Sequence, residues 1–286
     1  VPPRFTPVEQ RIDDLAHRVL QRTRLRPGFV EFLVFGAKQA WACIFGAALL
    51  IVILAARLWY PDDAALARND ALTIAAVLIQ IAMIAGRLET WRELRVIVLF
   101  HVVGTVMELF KTDVGSWSYA ADGILRVGAV PLFSGFMYAA VGSYMVRVYR
   151  LFDLRFTRYP PIWATAVLAV AIYANFFTLH WIVDLRWVLL ALVILLYGRC
   201  VMVFRFFAGT HRMPLLVAFA LVAAFIWLAE NVATFSGAWL YPDQLDGWHP
   251  VGATKLVSWF LLMIISVVLV TWVYPPRTPD PPALRV

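Results

Sequence analysis

Long apolar runs, broken by short clusters of charge, proline and glycine, fill most of this chain. Eight stand out, at 38–58, 71–86, 96–111, 131–149, 162–180, 187–206, 214–235 and 251–274. A helix needs about 20 apolar residues to cross the hydrocarbon core of a bilayer, and the runs are read as eight transmembrane helices. The run at 71–86 is short and carries Gln80. Ahead of them, in TPVEQRIDDLAHRVLQR, the pattern changes to a single stripe, Val8, Ile12, Leu15 and Val19, set among arginines. Thr6 suits the cap, Pro7 the first turn, and Glu9 completes a capping box. This predicts an amphipathic helix lying on the membrane surface, with His17 exposed on it. The tail YPPRTPDPPALRV is proline-rich and predicts an extended or disordered segment.

Composition sharpens the class. The 286 residues are 62% hydrophobic and 15% charged, against about 45–50% and 25% in soluble domains. The expected fold is all-α and polytopic. With the N-terminus inside, eighteen Lys and Arg fall on inner segments and six on outer ones. That bias obeys the positive-inside rule and puts both termini in the cytoplasm. The net charge of +7 is then a matter of membrane orientation, and no nucleic-acid partner is expected. The first 29 residues are polar and basic and do not read as a cleavable signal peptide. Two cysteines, Cys43 and Cys200, are too few for a disulfide framework and read as small buried hydrophobes.

The third and seventh runs end alike, in MELFKTDVGSWSY and LAENVATFSGAWLY. Glu108, Thr112, Gly115, Trp117 and Tyr119 recur as Glu230, Thr234, Gly237, Trp239 and Tyr241, each 122 residues later. Gly86-Arg87 recurs as Gly198-Arg199 at an offset of 112. This reads as a duplicated four-span unit. An N-terminal helical segment (1–29) precedes a first repeat (30–150), a second repeat (151–275) and a proline-rich tail (276–286). Four spans per unit make the repeats parallel, with a pseudo-two-fold axis along the membrane normal. Ionisable groups inside a bilayer are costly and face a polar interior or a cavity. Glu108 and Glu230 can line such a cavity near the outer face, or each can clamp its own glycine turn. Trp117, Tyr119, Trp239 and Tyr241 are the aromatic groups beside them.

Other polar groups single themselves out. His101 lies two helical turns before Glu108, on the same face, and joins it as a candidate for acid–base work. Gly104 and Thr105 leave room there for a close neighbour, and the second half has Ala223 in place of His101. Lys111, at i+3 from Glu108, is positioned to pair with it, whereas Glu230 has Asn231 beside it and no such lysine. The two glutamates are therefore expected to differ in charge state, as an acid–base pair requires. Lys255 enters the eighth run and can meet either glutamate or an anion. Asp62, Asp63, Asp70, His180, Asp184, Asp243, Asp246 and His249 fall in outer loops and read as solvated. The five histidines lack metal-ligand spacing, and the phosphate-loop, dinucleotide and nucleophile-elbow motifs do not occur. No metal or cofactor is expected.

FLVFGAKQAWACIFG, HVVGTVMELFKTDVGSWSY, VPLFSGFMYAAVGSYM and WLAENVATFSGAWLYP…KLVSW resemble the YoaT-like uncharacterised bacterial integral membrane proteins, a domain of unknown function, over about residues 30–275. The resemblance implies a multi-pass protein of a bacterial inner membrane. Glu108, Gly115, Tyr119 and Val130-Pro131 are also similar to a pattern in membrane carotenoid hydratases and cyclases. In those enzymes a carboxylic acid protonates a carbon–carbon double bond and aromatics shield the cation. Lys111 is extra to that pattern. Two functions follow as expectations. One is a cofactor-independent acid–base enzyme acting on an apolar isoprenoid or lipid in an outer-leaflet cavity. The other is a carrier or binding protein for a small solute, with Glu108 and Glu230 as coupling groups. Membrane lipids are the expected surroundings.

Overall fold

The computed structural model describes residues 6–22, 26–120 and 123–279. The chain is mostly helical. The first half runs α1 (Pro7–Arg22), α2 (Pro27–Ala42), α3 (Ile44–Trp59), α4 (Arg68–Ala85), α5 (Trp91–Asp113), the small hairpin β1 (Arg126–Val127) and β2 (Val130–Pro131), and α6 (Phe133–Leu151). The second half runs β3 (Arg155–Thr157), α7 (Ile162–Thr178), α8 (Arg186–Tyr197), β4 (Val201–Arg205), β5 (Thr210–Pro214), α9 (Leu215–Phe235) and α10 (Lys255–Val273). β3, β4 and β5 form one antiparallel sheet in that order, with Phe156 opposite Met202 and Met202 opposite Met213.

α4, α9 and α10 are each long and apolar enough to cross a membrane. α2 and α3 together make a fourth crossing if counted as one, although they meet at a bend of 62°. α5 and α6 are as long but carry buried charge, and α7 and α8 are apolar but shorter. The bend falls at Cys43, whose ψ of −1° ends one helix and opens the next. Lys38 explains it. Its ammonium lies 2.7 Å from Asp13 and donates to the Phe206 carbonyl. A lysine avoids hydrocarbon, so α2 stays with these polar groups while Phe45, Leu49 and Ile53 of α3 pack against α4 and α6.

The run at 187–206 is not one helix. α8 stops at Tyr197 and VMVFR is a strand. An unbroken apolar run does not distinguish a buried helix from a strand. Gly198 ends the helix, and the β-branched and aromatic residues after it pair with THRMP across the Gly209 turn. The amide of Gly209 donates to Glu31 of α2 at 2.7 Å.

α5 and α6 form the most extensive helix pair, and glycines set how closely they approach. A Cβ on Gly104 would lie 2.3 Å from the Tyr138 ring. One on Gly135 would lie 2.6 Å from His101 and from Thr105, and one on Gly142 3.0 Å from Phe100. Small residues allow this approach where helices lack a hydrophobic drive to associate.

One end of the molecule gathers buried ions. Arg150 reaches Glu9 at 2.7 Å and also bonds Glu93, while Arg147 lies 3.5 Å from Glu89. Thr90 and Glu93 form a capping box that starts α5. These contacts add a buried polar anchor to α1, the helix read as lying on the surface. The Thr6–Glu9 capping box forms, yet Glu9 is fully buried against Arg150 and Trp41 while Leu15 of the apolar stripe faces outward. Ile12 and Val19 of the stripe pack on the core beside this ion pair, in which each buried charge meets its counter-ion.

One further expectation changes. Asp70 is buried rather than solvated, and its carboxylate accepts amide bonds from Ile124 at 2.9 Å and Leu125 at 2.8 Å. Asp62, Asp63, Asp243 and Asp246 are exposed as read. The start of the proline-rich tail is pinned: Pro275 accepts from Tyr149, the Arg277 carbonyl from the Phe156 amide, and the Arg277 side chain pairs with Asp153 at 3.0 Å. Residues 280–286 of that tail lie outside the described residues.

Candidate functional site

At the opposite end, α5 and α9 terminate alike. The Ser116 amide bonds the Lys111 carbonyl and the Gly115 amide that of Thr112; the Ala238 amide bonds Ala233 and the Gly237 amide Thr234. Gly115 and Gly237 have φ of +70° and +66°. This is the Schellman ending, which places glycine in the left-handed region just past the helix. Each turn sends the chain back over its own helix. The two returning segments meet where Ser118 and Leu240 exchange backbone hydrogen bonds of 3.0 and 3.1 Å.

That return brings aromatic donors onto the glutamates. Glu108 accepts from Trp117 Nε1 at 2.7 Å and Tyr119 OH at 2.8 Å, both on Oε2, and from Tyr138 OH of α6 at 2.6 Å on Oε1. Glu230 accepts from Tyr241 OH on Oε1 and from Trp259 Nε1 of α10 at 2.7 Å on Oε2. Both glutamates are buried. Burial and the neighbouring carboxylate hold the Tyr119 and Tyr241 phenols well above their ordinary pKa, so both stay protonated. An indole N–H only donates. Each Oε2 is therefore an acceptor for its indole, and each Oε1 meets a phenol, Tyr138 on Glu108 and Tyr241 on Glu230.

The two clusters adjoin. The Trp117 ring lies edge-on to Tyr241 at 6.2 Å. The glycine turns are also braced from the other half of the chain. Arg68 donates to the Ser236 carbonyl at 2.5 Å, and Ser116 Oγ lies 3.0 Å from His180 Nε2.

The other expected site residues distribute unevenly. Lys111 does not turn to Glu108, which already holds three donors. Its ammonium sits 4.1 Å above the Phe176 ring and 3.3 Å from His180, so His180 is not simply solvated. Lys255 lies 4.0 Å from the Tyr241 ring centre, within electrostatic range of Glu230. His101 packs edge-on to Phe136 at 4.8 Å. The close neighbour that Gly104 admits is Tyr138. Asn231 bonds Trp227 at 2.8 Å and the Val251 amide at 2.9 Å, fixing the loop into α10. Trp239 packs against the apolar cluster that includes Phe133.

Tyr138 and Trp259 were not singled out from the sequence. Each lies one helix beyond its glutamate, at 30 and 29 residues, and the near-equality of those spacings is the signal that could have found them. Both also line a half-open apolar cleft of about 60 Å³, together with Gly104 and Met107 of α5, Tyr173 of α7 and Ser266 of α10.

Helices long and apolar enough to span a bilayer, with two carboxylates buried under aromatic donors, define a helical membrane protein. Residues 31–267 match the family described as "Protein of unknown function (DUF817)", and the chain belongs to that family. It is 44% identical over 240 residues to "Uncharacterized protein YoaT" of Bacillus subtilis (strain 168), across 84% of this chain and 90% of that protein. No solved structure matches the chain.

Proposed function

We propose that the chain crosses a bacterial inner membrane eight times, as two parallel four-span repeats with both termini in the cytoplasm, and that it acts by acid–base chemistry on the apolar chain of an isoprenoid or lipid. The matched endings of α5 and α9 and the pairing of Ser118 with Leu240 support the repeat. The arginines of the Glu9–Arg150 end support that end as the inner one.

One observation carries the chemical reading: Tyr138 and Trp259 each bond a glutamate and each line the apolar cleft. A chain in that cleft meets the carboxylates through these two groups. Glu108 Oε1 holds the proton, and Tyr138 stands between it and the chain as the group that passes it on. Glu230 with Tyr241 takes the complementary role. Pockets for drug-sized ligands run to about 300–1,000 Å³, so the cleft takes a short stretch of chain and the remainder lies along the helix flanks. The apolar lining favours this reading over a carrier for a polar solute.

The test is deuterium incorporation. Protein purified with its bound lipid and incubated in D₂O should label that lipid, as judged by mass spectrometry. Glu108→Gln should abolish labelling while lipid and thermal stability are kept. Labelling that survives in Glu108→Gln sinks the acid–base reading. Heavy loss of stability in both Glu108→Gln and Glu230→Gln instead makes the pair structural clamps.

A further inference from the structure

A basic group stands just beyond the cleft-lining stretch of each of α5, α7 and α10. On α5, Lys111 stands one turn beyond Met107 and two beyond Gly104, both of which line the cleft. On α10, Lys255 stands one turn before Trp259, with Leu262 and Ser266 continuing down the cleft wall. Beyond the end of α7, His180 stands two turns past Tyr173, with Phe176 between them under the Lys111 ammonium. Residues three, four or seven apart share a helix face, so Lys111 and Lys255 top the stripes that line the cleft below them, and His180, past the end of α7, is held beside Lys111 by their 3.3 Å contact.

Lys111 is buried, with 2% of its surface exposed. Its ammonium has three donors; one meets His180 Nε2 at 3.3 Å, and the aromatic face of Phe176 lies beneath the group. Neither Lys111 nor Lys255 forms an ion pair among the described residues. The two lysines lie close enough to repel each other; Arg186, also near Lys255, is paired with Asp184 at 2.5 Å. Glu230 and Asp243 attract Lys255 from beyond pairing distance. Holding like charges together at a low-dielectric rim costs free energy that a bound anion would recover.

Resting on the proposal that an apolar chain occupies the cleft, we propose that Lys111, Lys255 and His180 bind its head group, and that the ligand is an amphiphile bearing a phosphate or diphosphate. The anion takes the acceptor place that His180 Nε2 now fills for Lys111, with Ser116 Oγ as a further donor. The chain then descends past Trp259 and Tyr138, beside the two glutamates.

Calorimetry on the full-length protein in dodecyl maltoside, with farnesyl diphosphate, farnesol and inorganic diphosphate as probes, tests this. Farnesyl diphosphate should bind at least tenfold more tightly than either of the others. Lys255→Gln and Lys111→Met should each weaken it at least tenfold and leave farnesol unchanged. Should Lys111→Met fail to fold, Lys255→Gln and His180→Ala carry the test at half-buried and exposed positions. Equal binding of farnesol and farnesyl diphosphate, or lysine variants without effect, overturns the head-group assignment while the apolar-chain reading stands. Inorganic diphosphate binding as tightly as farnesyl diphosphate, lost in Lys255→Gln, makes the rim a free-anion site and overturns the amphiphile. If neither prenyl probe binds, both proposals fall.

Discussion

Ser118 and Leu240 lie 122 residues apart and pair with each other, each amide donating to the other's carbonyl at 3.0 and 3.1 Å. A two-fold axis through an antiparallel pair exchanges its two members. The offset that relates the glutamates, the glycines and the tyrosines thus also relates two residues in direct contact. Because the contact is all backbone, Ser118→Ala should change stability by less than about 0.5 kcal/mol. Leu240→Pro removes one of the two donors and should cost about 1–3 kcal/mol. Thermal unfolding in detergent checks both, and equal effects would argue against the bridge.

Glycines in the site serve two different ends, and substitution separates them. Gly115 has positive φ but open space around its Cβ position. Gly115→Ala should cost about 1–2 kcal/mol, the strain of a left-handed residue with a side chain. Gly104 is helical, and a Cβ there would meet the Tyr138 ring at 2.3 Å. Gly104→Ala should therefore be worse, at about 3 kcal/mol, and should push Tyr138 off Glu108. A smaller loss at Gly104 than at Gly115 would mean that α5 and α6 separate readily.

The glutamates differ in how many donors hold them, three for Glu108 and two for Glu230. Removing one partner from a buried carboxyl group costs about 1–3 kcal/mol. Tyr241→Phe leaves Glu230 with Trp259 alone and should fall at the upper end. Tyr119→Phe leaves Oε2 of Glu108 with Trp117 and should fall at the lower end. A double-mutant cycle between Glu108→Gln and Tyr138→Phe should give a coupling of about 0.5–3 kcal/mol. Additive effects would show that the short bond carries no energy.

How much of this was legible in the chain depended on range. The turn that follows each glutamate is local: Gly115 and Gly237 end their helices, and Tyr119 and Tyr241 return eleven residues on to bond Glu108 and Glu230. Spacing and residue type reveal such a unit. Tyr138 and Trp259 reach the same carboxylates from other helices, and nothing local marks a tyrosine within an apolar run as a donor. Lys111 was misjudged for the converse reason. Helical spacing permits a Glu108–Lys111 pair, but aromatic donors from outside the helix occupy the carboxylate first. The strand at Val201–Arg205 was hidden because its apolar residues pair with a second strand rather than continue a helix. Asp70 looked solvated only because its partners, the 124–125 amides, are distant in sequence, and the spacing that gave Glu9 its cap could not show Arg150 for the same reason.

The ion cluster at the far end gives a final prediction, which concerns order rather than chemistry. Arg150 stands between Glu9 of α1 and Glu93 of α5, and all three are buried. Taking away the shared cation leaves two unpaired carboxylates inside the protein, which should cost about 3–5 kcal/mol. Arg150→Met should therefore loosen α1, because Glu9 then gains more from water than from Trp41 and the Thr6 amide. Glu9→Gln keeps an acceptor for Arg150 and for Trp41 Nε1 and leaves the Arg150–Glu93 pair intact, so its cost should be nearer 1 kcal/mol. Limited proteolysis within 7–22 reads the difference: rapid cleavage in Arg150→Met, slow cleavage in Glu9→Gln and in the wild type. Combining the two should rescue part of the Arg150→Met loss, since the neutral amide no longer leaves a bare charge. Cleavage at the same rate in all of these proteins would mean that α1 is held by Ile12 and Val19, its apolar contacts with the core, and not by the ion pair.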